Sequence, residues 1–135
     1  MDIDTTERKS LVIISAATGS CDDDKRHVSL GKALKDHGFE FGEVEGCYKG
    51  VTEQSYLVEY EGGEELFQLF MLAVFYAQES VLVIDAERNA ELMYTTDDRY
   101  EKLGKLEPIS NLQAEKLDAW TRTSNGQYYG VLDNA

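Results

Sequence analysis

The chain has 135 residues, enough for one domain and too few for two comfortable ones. Its net charge of -13 would repel a phosphate backbone, so nucleic-acid binding is not expected; attraction of cationic ligands, imitation of nucleic acid toward a basic partner and a merely solvated acidic surface all stay open. Cys21 and Cys47 lack metal-ligand spacing and read as reduced thiols of a soluble cytoplasmic protein, and no apolar run approaches the length that crosses a membrane.

In chain order, residues 1–9 read as a mobile polar tail. Leu11-Val12-Ile13-Ile14 is a continuous apolar run that predicts a buried strand, and the small residues Ser15-Ala16-Ala17-Thr18-Gly19-Ser20 predict the loop after it. That loop end is a candidate ligand site, because its backbone can approach a small molecule closely, but it lacks a phosphate-binding glycine fingerprint. Asp22-Asp23-Asp24 supplies an acidic helix start, and Lys35, His37 and Gly38 supply the stop, so a helix is predicted from about Asp23 to His37. Arg26 and His27 fall in its first turns, where they either face the loop or sit on a solvated face. Phe39 to Glu45 predicts a second strand and Gln54 to Tyr60 a third, joined through Gly46 and Gly50. Glu53 stands where loop becomes strand, a place that serves either a cleft or bulk solvent.

Glu64 to Gln78 is apolar nearly all round and predicts a helix that buries more than one side, one against its sheet and the other against a neighbouring subunit or a covering C-terminal segment. Ser80 to Asp85 and Ala90 to Thr95 predict strands four and five, after which Asp97-Asp98-Arg99-Tyr100 begins a less regular stretch. Ser124-Asn125-Gly126, between Asp118 to Thr123 and Gln127 to Val131, predicts a hairpin with Trp120 paired to Tyr128 or Tyr129. The order β-α-β-β-α-β with added strands predicts a ferredoxin-like α+β fold: an antiparallel sheet covered by two helices, with an added C-terminal β-hairpin, as one domain over residues 10–135.

These residues together resemble one family, the bacteriophage enzymes that degrade S-adenosylmethionine, long called hydrolases and since reinterpreted as lyases. The likeness runs from Leu11 to about Tyr94. It is carried by Val12-Ile13-Ile14-Ser15-Ala16, Arg26-His27, Gly46-Cys47-Tyr48, Glu53 at a strand start, Gln78-Glu79-Ser80-Val81-Leu82-Val83 and Ala90-Glu91-Leu92-Met93-Tyr94. The chain departs from the family in having only Lys49 to Thr52 between the Gly-Cys-Tyr element and that glutamate. The resemblance implies Glu53 as the functional glutamate and a trimer with substrate between subunits. The second acidic residue of the pocket is open among Glu79, Glu87 and Glu91.

With Glu53 as the catalytic residue, the expected substrate contacts are Ser15, Ala16, Arg26, His27, Tyr48, Tyr56 and Glu79. Either Tyr48 or Tyr56 would stack on adenine or meet the cation through its ring face; a core or interface role is the alternative for each. S-adenosylmethionine carries a sulfonium, an ammonium and a carboxylate, so an acidic chain suits it. If its own carboxylate attacks its γ-carbon, 5'-methylthioadenosine and homoserine lactone form without water, metal or other cofactor. The rival readings are a noncatalytic acidic inhibitor that mimics nucleic acid toward a restriction enzyme and a trimeric domain that binds the metabolite without cleaving it.

Overall fold

A computed structural model of the chain describes Ile3 and residues 9–132. Among them the elements run β1 Ser10–Ser15, α1 Asp23–Asp36, β2 Phe41–Tyr48, β3 Val51–Tyr60, α2 Gly62–Phe75, β4 Ser80–Ile84, β5 Asn89–Tyr94, β6 Tyr100–Ile109, α3 Asn111–Glu115, β7 Ala119–Thr123 and β8 Tyr128–Val131. The tail read over residues 1–9 falls, apart from Ile3 and Lys9, outside the described residues. Ile3 itself is buried among the side chains that fill the barrel described below.

The strands form a closed antiparallel barrel in the order β1-β3-β2-β7-β8-β6-β5-β4, with β1 pairing β4 to complete the ring. The ferredoxin-like expectation is therefore corrected. An open sheet would leave β2 and β4 as edges with unpaired backbone groups. Here β7 pairs β2, with Gly46 opposite Thr121, and β5 pairs β4, with Leu82 opposite Leu92. The predicted irregular stretch after Asp97 is also corrected, because β6 bridges β5 and β8. The C-terminal hairpin is accordingly part of the wall. Trp120 and Tyr128 lie diagonally across it with ring centroids 5.1 Å apart.

Closure gives the strands of β1 and β3 two buried faces, and hence two separate cores. Leu11, Ile13, Val44, Leu57, Ile84, Ala90, Leu106 and Tyr129 point into the barrel. Val12, Ile14, Tyr56, Val58 and Val81 point outward and pack beneath Leu30 and Leu34 of α1 and Leu69 and Ala73 of α2. The helices thus cover one side of the barrel from outside. Alternation of side chains along β1 and β3 then decides which residues can reach the interior.

Candidate active site

One end of the barrel is filled. Leu11, Leu57 and Ile84 are there fully buried. The other end gathers the last residues of β1, β2 and β5 and the first of β3, β4 and β7, since antiparallel pairing sets Ser15 opposite Ser55, Glu53 opposite Gly46, and Ser80 opposite Tyr94. A cavity of about 1080 Å³ opens at this end, lined around its mouth by Ser15, Tyr48, Glu53, Glu79, Tyr94 and Trp120. That volume lies at the top of the range for small-molecule clefts, roughly 300–1,000 Å³.

Glu53 shares its strand face with Ser55 and Leu57, so its carboxylate points inward and is half-buried. Gly46 across the ladder adds no side chain over it, which leaves room for a ligand. Burial pushes the Glu53 carboxyl above the usual carboxylate range; a hydrogen bond with Ser15 opposes this, and the negative charge of Asp23 adds to it. The Ser15 hydroxyl is itself held in place. It accepts from the Ala17 N–H at 3.0 Å, and the Gln54 carbonyl lies 3.1 Å away.

The small-residue loop that follows is closed down on itself. Asp23 at the start of α1 accepts from the Thr18 N–H at 2.9 Å and the Gly19 N–H at 3.0 Å, and the Thr18 bond leads in holding its carboxyl below the ordinary range. The Thr18 and Gly19 backbone donors are spent on Asp23 and that of Ala17 on Ser15, yet all three residues still form part of the cavity rim.

Of the eight residues expected at the site, the structure brings Glu53, Ser15, Tyr48 and Glu79 to the cavity and places Ala16, Arg26, His27 and Tyr56 elsewhere in this chain. Ala16 is buried in the core beneath the helices. Arg26 donates from Nε to the Ala16 carbonyl at 2.8 Å and from its Nη2 to the Tyr76 carbonyl, tying the β1–α1 loop to the end of α2. His27 donates from Nε2 to Glu43 at 2.8 Å and stacks on Tyr56 with centroids 4.2 Å apart, while its Nδ1 is buried without a partner. Tyr56 donates to the His27 carbonyl at 2.9 Å. These three side chains lock α1 to the outside of the sheet.

Glu87 lies in the β4–β5 turn, at the filled end, and Glu91 alternates with the buried Ala90 and Leu92 and so faces outward. Among the three acidic candidates Glu79 alone lines the cavity. Ser55 and Thr121 reach the site without having been singled out in the sequence, and so do Tyr94 and Gln78, which belong to the family motifs but were not among the expected contacts. Gln78 donates from Nε2 to the Ala17 carbonyl at 3.0 Å and so braces the rim. Its place beside Glu79, just before an apolar strand, was the available signal.

The mouth therefore offers a half-buried carboxylate, a second carboxylate at the rim and aromatic rings, a set suited to a cationic ligand with a flat heterocycle. No individually curated protein matches the chain. A family model described as the S-adenosylmethionine lyase family matches residues 12–132, a span that takes in every strand of the barrel except the first residues of β1. The chain therefore belongs to the S-adenosylmethionine lyase family, which makes degradation of S-adenosylmethionine, in general terms, its activity.

Proposed function

We propose that the chain cleaves S-adenosylmethionine by attack of the substrate's own carboxylate on its γ-carbon. A carboxylate oxygen bonds to that carbon, the carbon–sulfur bond breaks, and its electron pair stays on sulfur. The products are 5'-methylthioadenosine and L-homoserine lactone, and no water is consumed. Glu53 carries this reading: a half-buried carboxylate, steadied by Ser15, stands over open cavity space in a family of S-adenosylmethionine lyases. The sulfonium charge vanishes as the bond breaks, so a carboxylate against it would favour the ground state over the transition state. Glu53 instead grips the ammonium and holds the methionyl chain folded. Such positioning can supply about 7–11 kcal/mol at its upper end. Tyr48 and Glu79 complete the contacts at the rim.

The same proposal includes a homotrimer with the site finished by a neighbouring subunit. The outer face of α2 supports it, since Phe67, Met71, Val74 and Phe75 remain exposed, Phe75 at 77%. The working setting is the cytoplasm of an infected host, where loss of the metabolite disables restriction that depends on it. Incubating purified protein with S-adenosylmethionine in heavy-oxygen water tests the reaction. Label confined to the carboxyl group of homoserine means that the lactone formed first, and label in its hydroxyl means that water attacked the γ-carbon. Absence of turnover together with tight binding to a nuclease overturns the enzyme reading in favour of the acidic inhibitor.

A further inference from the structure

The acidic mouth suits the substrate's sulfonium and ammonium but repels its carboxylate, and a lysine at its rim has the opposite charge. Among the described residues lining the cavity, the cations are Lys49 and Lys105. Lys105 lies on β6, opposite Asn89 and on a strand that does not pair with the one that carries Glu53. Lys49 occupies the tip of the β2–β3 hairpin at the mouth, where Tyr48 pairs with Val51 and Glu53 follows on the same strand. Three residues, Gly50, Val51 and Thr52, separate it from Glu53 on the same hairpin. Its Nζ lies over the Tyr48 ring, 5.3 Å from the centroid, and none of the salt bridges among the described residues involves it.

The backbone adds a second observation. Lys49 has φ +52 and Gly50 φ +79, so both central residues of this two-residue turn are left-handed. Asparagine and glycine suit such a turn best, and lysine does not. A residue that the turn itself disfavours stands at the mouth of the cavity, and strained positions of this kind gather at functional sites.

We infer that Lys49 receives the substrate's α-carboxylate and thereby selects ligands that keep the whole amino-acid end. This rests on the lyase reading for the identity of the ligand. Because the attacking carboxylate loses charge in the transition state, a cation beside it stabilises bound substrate at least as much, so its loss appears in KM rather than kcat.

The test is Lys49→Asn, which the left-handed turn accommodates, and Lys49→Arg, which keeps the charge. Calorimetric Kd values are measured for S-adenosylhomocysteine, which has the carboxylate and resists this cleavage, and for methylthioadenosine, which lacks it. The inference expects Lys49→Asn to weaken S-adenosylhomocysteine about tenfold, to leave methylthioadenosine within twofold, and to raise KM for S-adenosylmethionine with kcat held. Lys49→Arg should restore the affinity. Equal Kd values for wild type and Lys49→Asn, or equal weakening of both ligands, overturns the inference. Absent turnover by wild type with this selective loss intact would sink the lyase reading alone, and wild type that binds neither ligand sinks both.

Discussion

Replacing Glu53 by Gln separates what the residue does for the reaction from what it does for the fold, because the two effects have opposite signs. The substitution keeps the size and one acceptor oxygen, turns the other into an amide donor and removes the charge. A hydrogen bond to a charged group contributes about 1.5–3 kcal/mol, so losing the grip on the ammonium lowers kcat/KM about 10- to 150-fold. For the fold, burial has already raised the carboxyl's pKa above its unfolded value. A carboxyl shifted in that direction contributes stability that is full below the unfolded pKa and lost as pH rises through the folded one. At pH 7.5 the ionised Glu53 is therefore a burden. The neutral amide of Glu53→Gln escapes it, so melting is unchanged or slightly higher, with a gain under about 1 kcal/mol because half of the carboxylate is solvated. The advantage fades as pH falls through the raised Glu53 pKa, where the native side chain is already neutral. Product formation followed by chromatography, and melting curves at pH 7.5 and at a pH below the raised Glu53 pKa, provide the check. Near-normal turnover removes Glu53 from the site, and clear destabilisation at pH 7.5 refutes the electrostatic reasoning. In wild type, the acid limb of kcat/KM should lie above the ordinary glutamate range and vanish in the variant.

Gly31→Ala on α1 tests the division between the outer core and the cavity. Its Cβ would meet the Tyr56 hydroxyl at 2.5 Å. The helix-propensity gain of about 1 kcal/mol is outweighed by overpacking of about 1–3 kcal/mol and by disturbance of the Tyr56–His27 bond. A net loss of about 1–2 kcal/mol should lower Tm by several degrees with kcat/KM of the folded protein unchanged; a higher Tm would contradict the packing. Phe75→Asp, with Phe67→Asp beside it, should shift the assembled protein toward monomer in light scattering. A monomeric wild type at working concentration would remove the trimer from the proposal.

The sequence by itself determined most local structure, because its signals lie within a few residues. The acidic start and glycine stop of α1, the Asn125-Gly126 turn and the apolar runs of β1 and β4 all predicted elements that the fold contains. The capping box from Ser110 to Gln113 that starts α3 is equally local, although no helix was predicted there from the sequence. By contrast, β6 carries Glu101, Lys102, Lys105, Glu107, Gly104 and Pro108, a composition that reads as loop. It becomes a strand by pairing β5 on one side and β8 on the other.

The site divides along the same line. Family motifs pointed to Ser15, Tyr48, Glu53 and Glu79, whereas the separation of Glu53 from Tyr56 depends on which strand face turns inward. In β1 both faces are apolar because one fills the barrel and the other lies under helices, so the alternation that normally tells inside from outside is erased. Barrel closure depends on pairings between residues far apart in the chain, such as Leu11 with Ile84 and Gly46 with Thr121. Only the tertiary structure could decide that Ser15 and Glu53 face the cavity while Arg26, His27 and Tyr56 secure the helix outside it.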